Sequence, residues 1–239
     1  MAYLGASPFT ITATGDYQIP EGVVSLQVEC RGGGAAGSND GTAAARPGGG
    51  GGGGGYAKRN SMRVIPNKTY TFTVGTAVSA GSELDGNPSS FTAEDALQCI
   101  AAGGGNTTTR TGGAGGSANT GDVTYNGGNG GTAPSSNNYG GGGGGEGAGS
   151  TSIGGNGQAP STSTGGNGGT GTDGGDGGKG GDNTAAGNDG NAPGGAGGGA
   201  GGNNNTGGGG ARGEIVVTYT INKTRSYGGG VSSSCPMGY

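Results

Sequence analysis

Histidine and tryptophan are absent from this 239-residue chain, aromatic residues make up only 5% of it, and charged residues only 11%. Without histidine the usual nucleophile–base pairs cannot be assembled, and the few Asp, Glu and Lys residues are scattered through glycine-rich sequence. The chain is therefore expected not to be an enzyme. No apolar run approaches the ~18 residues of a membrane-spanning helix, so membrane insertion is not expected. The net charge of −4 argues against a nucleic-acid-binding surface. The opening residues MAYLGASPFTITATG lack both a basic stretch and an apolar stretch of the secretory type, which points to synthesis in a cytoplasm. Nine prolines are too few for collagen, which needs proline between regularly spaced glycines. Cysteine is scarce as well. Cys30, Cys99 and Cys235 form an odd set with no metal-type spacing, so they read as two apolar fillers and a tail thiol. A Cys30–Cys99 disulfide stays open but is disfavoured in a reducing compartment.

Glycine is what the chain has: 71 residues of it. In GGNGGTGTDGGDGGKGGD, residues 165–182, a non-glycine residue falls at Asn167, Thr170, Asp173, Asp176, Lys179 and Asp182, and only Thr172 breaks the pattern. A period of three suits neither an α-helix nor a strand. It suits a polyproline-II-type helix, at about 3.1 Å per residue, so that six unbroken triplets would span roughly 55 Å. Ordering glycine is entropically costly, and hydrogen bonds between neighbouring backbones are the one compensation available, at about 0.5–1.5 kcal/mol each. The expectation is a packed lattice with Gly-Gly-X segments outside, X in water, and the uninterrupted runs Gly48–Gly55 and Gly140–Gly145 enclosed. The competing reading is a disordered low-complexity chain.

Between the glycine stretches lie strand patterns. Phe9, Ile11 and Ala13 alternate with threonines, Gly15-Asp16 reads as a turn, and Val24, Leu26, Val28 and Cys30 alternate with polar residues, as in an antiparallel sheet with one buried face. Tyr56 to Ile65 and Thr69 to Val74 read as a hairpin about Pro66-Asn67. Ser90 to Thr92 and Ala96 to Ala102 follow, with Leu97, Cys99 and Ala101 facing the core, and Glu214 to Thr220 is the clearest strand of all. The fold class expected is all-β, a small antiparallel β-sheet domain with a large glycine-helix bundle inserted between its strands. Residues 1–102 plus 214–221 would form the sheet domain, with glycine excursions at 32–55 and 75–88. Residues 103–213 would form the bundle, without a strand of their own, and residues 222–239 an extended tail. Reversals are expected at 106–111, 122–126, 132–139, 158–164, 182–191 and 203–206.

Two ligand motifs fall short. Gly177–Asp182 has a lysine but neither the Ser/Thr nor the helix of a phosphate-cradling loop. G-G-x-G-x-D occurs at Gly168–Asp173 and Gly177–Asp182, as in calcium-binding β-rolls, yet Gly175 and Thr184 stand where that repeat needs a large apolar residue. No metal or other cofactor is expected. Tyr125 and Tyr139 are the only aromatics of the long excursion and suit sugar or protein recognition, against the simpler reading that they pack over the bundle end. Arg110, Asn137, Asn138 and Thr162 are candidates of the same kind, on loops.

Several stretches resemble the glycine-rich domain of bacteriophage tail-fibre and adhesin proteins. They are Phe9-Thr10, Gly15, Tyr17, Ile19-Pro20, Gly22-Val23, Ser25-Leu26 and Val28-Glu29-Cys30 leading into Gly32-Gly33-Gly34, then the glycine run ending in Tyr56-Ala57-Lys58. Thr69–Gly75, Ala101–Gly105 and the closing G-x-x-G-x-I-V-V-T-Y at Gly210–Tyr219 continue the match, which covers most of the chain in order. Arg31 departs from it, standing where such proteins often have an aromatic residue. The resemblance implies a β-sandwich carrying a polyglycine-II bundle whose tip loops recognise a bacterial surface receptor, a glycan or an outer-membrane protein. It further implies residence in the virion after assembly in the host cytoplasm, with other virion proteins as partners and a homo-oligomer compatible. No separate attachment domain is expected before Phe9, so residues 1–7 or the tail, with Tyr227, Val231, Cys235, Met237 and Tyr239, are by elimination the expected docking candidates. The alternatives are a capsid or tail decoration protein without a receptor and, less in keeping with the charged 167–182 face, an ice-binding protein.

Overall fold

The structure is a computed structural model describing residues 2–39, 46–136, 138–202 and 205–221. Ten strands follow in order: β1 (Ala2–Tyr3), β2 (Phe9–Ile11), β3 (Gly15–Gln18), β4 (Ser25–Arg31), β5 (Tyr56–Arg63), β6 (Thr69–Thr73), β7 (Ser89–Thr92), β8 (Gln98–Ala101), β9 (Val123–Tyr125) and β10 (Glu214–Thr218). There is no helix among the described residues. The strands make two five-stranded sheets, β1-β3-β6-β7-β8 and β2-β10-β4-β5-β9. All pairings are antiparallel except β1 with β3. Leu26, Val28, Cys30, Met62, Ile215 and Val217 from one sheet meet Tyr70, Phe72, Phe91 and Cys99 from the other in a single buried cluster. Phe72 and Phe91 stack at its centre, with ring centroids 4.3 Å apart. Cys30 and Cys99 are free thiols in this core, the Cys30 Sγ lying 3.6 Å from the Cys99 carbonyl oxygen. Burial and the neighbouring Cys99 push the Cys30 thiol well above its ordinary pKa.

Several expectations are corrected. β5 and β6 do not form a hairpin: β5 pairs with β4 and β9, whereas β6 pairs with β3 and β7 in the other sheet. The Pro66-Asn67 link, with Asn67 in the left-handed region (φ 62°), carries the chain from one sheet to the other. Gly15 and Asp16 belong to a strand. Val24 is 52% exposed and Val23 buried in its place, because the turn closed by Val23 N–H on the Pro20 carbonyl delays the alternation until Ser25. Leu97 is 39% exposed, on the turn between β7 and β8. β9 is a strand inside 103–213, added to the edge of the sheet by Tyr56↔Tyr125 and Lys58↔Val123.

The glycine stretches outside the strands are buried and hydrogen-bonded to one another. Every N–H and C=O of Gly48–Gly55 has a backbone partner at 2.8–3.0 Å, and the partners recur at every third residue. Gly48, Gly51 and Gly54 donate to Ala200, Gly197 and Gly194, while Gly49, Gly52 and Gly55 donate to Thr109, Gly105 and Ala102. Gly50 and Gly53 donate to Gly131 and Gly128. The carbonyls accept in the same rhythm: Gly142, Gly145 and Ala148 bond to Gly48, Gly51 and Gly54; Ser38, Ala35 and Gly32 to Gly49, Gly52 and Gly55; Gly113 and Gly116 to Gly50 and Gly53. Six neighbouring segments thus surround this run, and both runs expected to be enclosed, 48–55 and 140–145, are buried throughout. The excursion at 32–55 joins the same array as 103–213. Glycine is required there by proximity and not by dihedral angle. Among the described glycines only Gly22, Gly81 and Gly194 have positive φ, yet a Cβ on Gly50, Gly52 or Gly53 would fall closer than 3.0 Å to the carbonyl of Gly143, Ala114 or Glu146.

Residues 165–182 are two antiparallel segments instead of one. Gly177 N–H bonds to the Gly169 carbonyl and Gly180 N–H to that of Gly166, around a reversal at 171–174 where Thr172 interrupts the triplets. The X side chains reach further than water. Asn129 Oδ1 accepts the Gly115 N–H at 2.9 Å, Asn156 Oδ1 that of Asn129 at 2.8 Å, Thr132 Oγ1 that of Gly112 at 3.1 Å, and Asp182 Oδ1 that of Gly165 at 2.9 Å. Outermost segments lack a neighbour on one side, and Asn, Asp and Thr supply the acceptor that a further backbone would have provided.

One carboxylate lies inside. Glu146 is 2% exposed, and its Oε2 accepts the Gly155 N–H at 2.6 Å. Burial first, then the charges of Asp176 and Asp173, push its carboxyl above the usual range against that one hydrogen bond. A native carboxyl with a raised pKa binds its proton more tightly than the unfolded one, so stability is lost as pH rises through the native value. Glu146→Gln is expected to raise the denaturation midpoint at pH 8 and to leave it close to wild type at pH 4. A difference independent of pH would mean that the charge is immaterial.

Candidate functional site

The registers sort the turns into two groups. Gly55 bonds to Ala102, Gly54 to Gly194, and Ala148 to Gly54 at the level where the array meets the sheets. At the other extreme Gly49 bonds to Thr109, Gly48 to Ala200, and Gly142 to Gly48. The turns near 106–111, 134–136 with 138–139, 161–163, 182–186 and 205–206 therefore lie together at the end remote from the sheets. Backbone bonds tie them into one cap: Ala133 N–H to Arg110 O at 2.8 Å, Gly140 N–H to Thr162 O at 2.9 Å, Asn183 N–H to Ser163 O at 2.8 Å, and Gly187 N–H to Thr206 O at 2.9 Å. The turns at 149–153, 171–174 and 191–194 lie at the sheet end, the first two outside the reversals expected from sequence.

Arg110, Asn138, Tyr139 and Thr162 are brought to the cap. Asn138 and Thr162 are exposed and hold left-handed backbone, at φ 64° and 48°. A β-branched residue there is an uncommon feature of turns that present side chains. Tyr139 is half-buried, with its backbone beside Thr162. Asn137, like Tyr227, Val231, Cys235, Met237 and Tyr239, lies outside the described residues. Tyr125 is not at the cap. It sits on β9 at the sheet end, its ring 6.1 Å from that of Tyr56, and belongs to the junction between sheet and array.

That junction turns on Arg31, at the end of β4. The residue is only 8% exposed and pairs with Glu214 at 2.8 Å and with Asp173 at 3.6 Å, while its guanidinium lies over the Tyr56 ring at 5.5 Å. The Tyr56 hydroxyl donates to Glu29 at 2.9 Å, and burial and that carboxylate push the phenol far above its ordinary range. Burial opposes ionisation of Asp173, but the Ser150 hydroxyl and N–H and the Arg31 charge hold its carboxyl below the usual value. Arg31 thus ties two strands to the 149–153 and 171–174 turns, a role that the sequence showed only as a departure from pattern.

The described chain leaves the fold at the end opposite the cap. β10 pairs Glu214 with Arg31 beside the array and Thr218 with Gln27 away from it. Beyond, the Tyr219 N–H donates to Ser7 Oγ at 2.9 Å and the Tyr219 hydroxyl to the Gly5 carbonyl, so residues 5–7 and 219–221 share that remote end.

A family model described as a glycine-rich domain matches residues 10–220, nearly all of the described chain. The chain belongs to that family. Among curated proteins none matches it. In this glycine-rich domain the family match takes in every strand from β3 to β10, most of β2 and the whole glycine array, so the array is part of the domain and not a linker between two others. The sequence reading missed one feature of the cap, a cleft lined by Asn39, Arg46, Pro47, Thr108, Thr109 and Arg110. Arg46-Pro47, just before the longest glycine run, was its only sequence signal.

Proposed function

We propose that this glycine-rich domain is a bacteriophage virion protein, a receptor-binding adhesin of the tail-fibre tip, that holds recognition loops on a rigid scaffold. In this reading the sheets form a β-sandwich and the glycine array a polyglycine-II helix bundle. The threefold recurrence of hydrogen-bond partners supports the bundle, since three residues per turn is the period of that helix. So do the φ values, which leave the segments of the run 48–55 without a single left-handed glycine. The observation that carries the functional reading is the polarity of the molecule. Turns rich in Thr, Asn, Tyr and Arg converge at one end, and the chain continues from Ile221 at the other. A scaffold of buried backbone bonds keeps the turns in fixed relative positions at low entropic cost of binding, and loops on a rigid support are where recognition usually resides. The receptor would be a glycan or an outer-membrane protein of the host, and the virion contact would be made from the end bearing residues 5–7 and 219–221.

The experiment is adsorption. Particles whose 134–138 loop is replaced by a Gly/Ser sequence of equal length are expected to assemble normally and adsorb poorly. Normal adsorption by such particles would refute the adhesin reading and favour a decoration protein.

A further inference from the structure

We propose that the cap cleft between Arg46-Pro47 and Thr108–Arg110 is a binding site for an oxyanion, the phosphate or carboxylate group of an acidic surface glycan. The proposal rests on the host-surface reading above and gives that surface a chemical class.

The cleft encloses about 210 Å³, room for roughly seven waters at their liquid volume and hence for a phosphate group or one sugar-acid ring. Its two walls are fixed. The Gly49 N–H bonds to the Thr109 carbonyl at 3.0 Å, locking the start of the enclosed run against the 106–111 turn. Thr107 Oγ1 accepts the Thr109 N–H and pairs with Thr109 Oγ1, both at 3.1 Å, and the Arg110 carbonyl accepts Ala133 N–H. The turn is thus shaped before any ligand arrives.

The charge is unusual for this molecule. The chain carries −4 with only 11 Lys and Arg residues, yet two arginines line this one cleft. The Arg110 guanidinium, half-buried, has no hydrogen bond or ion pair among the described residues. Among the described residues, the acidic side chains nearby bond to backbone: Glu83 accepts the Asn39 N–H at 2.8 Å, and Asp85 accepts the Asn106 N–H at 2.7 Å. Elsewhere Arg31 is matched with Glu214 and Arg59 with Asp122, and the half-buried Arg212 donates to the Gly213 carbonyl. A planar guanidinium with unfilled donors, beside the hydroxyls of Thr108 and Thr109, is suited to a bidentate oxyanion.

The test uses the purified full chain and three probes followed by ligand-observed NMR: glycerol 1-phosphate, glucuronate and neutral glucose. Binding of either acidic probe, weakened about tenfold in Arg110→Gln and suppressed by added salt, is the expected result. Glycerol phosphate alone would assign the site to phosphorylated glycans, and glucuronate alone to acidic sugars. Arg46→Gln serves as a second variant, with the melting profile of each confirming the fold. Binding of neither acidic probe, binding of glucose equal to that of the acids, or unchanged affinity in both variants would overturn the site. Host-cell binding by the same proteins separates the two readings. Cells bound equally by wild type and both variants would leave a host-surface protein without an anion site, whereas probes bound and cells ignored would leave an anion site without the adhesin.

Discussion

Gly53→Ala is expected to lower the free energy of unfolding by about 3 kcal/mol, a large effect for the addition of one methyl group. The Gly53 N–H donates to Gly128 and its carbonyl accepts from Gly116, while the position a Cβ would take lies against the Glu146 carbonyl and, at 2.9 Å, the Gly147 nitrogen. Those neighbours are backbone held from several sides, so none can yield without breaking further bonds worth about 0.5–1.5 kcal/mol each. Gly105→Ala is the internal control. Its nearest would-be contact is the Ala114 carbonyl at 3.3 Å, a few tenths of an ångström from ordinary, and the alanine restricts the unfolded chain, which stabilises by about 0.4–1 kcal/mol. Denaturant titration of the two variants, with amide exchange at Gly116, Gly128 and Gly130, distinguishes a solid array from a loose one. Similar midpoints for both, with exchange at those glycines as fast as in a random coil, would refute the packed backbone and the rigid display built on it.

What was legible in sequence was whatever depended on local period. Alternation in Leu26-Val28-Cys30 and Ile215-Val217 marked β4 and β10, and both pack into the shared core as read. Uninterrupted glycine at 48–55 and 140–145 marked the enclosed segments, because no residue with a side chain fits six backbone neighbours. The misreadings share one cause, which is that they turn on which segments meet across space. Pro66-Asn67 has the composition of a hairpin turn, and only the pairing of β5 with β4 and of β6 with β3 shows that it links two sheets. Val123-Thr124-Tyr125 is too short to stand out and becomes a strand because Tyr56–Lys58 offers it an edge. Thr172 did mark an interruption, but a period cannot say whether an irregularity is tolerated or folds back. Tyr125 and Tyr139 looked alike in sequence and lie at opposite ends of the array, since the parity of the reversals between them decides the end. The Arg46–Arg110 cleft was out of reach for the same reason: 64 positions separate two side chains that one backbone bond, Gly49 to Thr109, brings together.

Arg31→Met should be the most damaging change at the junction, costing about 3 kcal/mol, near the lower end for breaking a buried pair because Asp173 is partly exposed. Methionine fills a similar length but leaves Glu214 without its cation and Tyr56 without the charge over its ring. One feature moderates the loss, for Arg31 Nε is itself buried without a partner, so removing the residue also removes one unsatisfied donor. Adding Glu214→Gln to Arg31→Met should restore part of the stability, because the stranded carboxylate is then neutral. The pH dependence has a definite sign. Asp173 is held below its ordinary pKa partly by Arg31, and a depressed carboxyl stabilises above its unfolded value and loses that contribution as pH falls through the folded one. The gap between Arg31→Met and wild type should therefore narrow under acid, as Asp173 protonates in both. Where the damage spreads is the more telling measurement. Arg31 joins β4 and β10 to the turn that carries Asp173 and, through it, to Ser150. Loss of amide protection confined to 149–153 and 171–175 would mean that sheet and array are held mainly by the backbone bonds between them, whereas loss reaching Gly142–Gly145 and the cap turns would mean that one guanidinium steadies the cap from the sheet side.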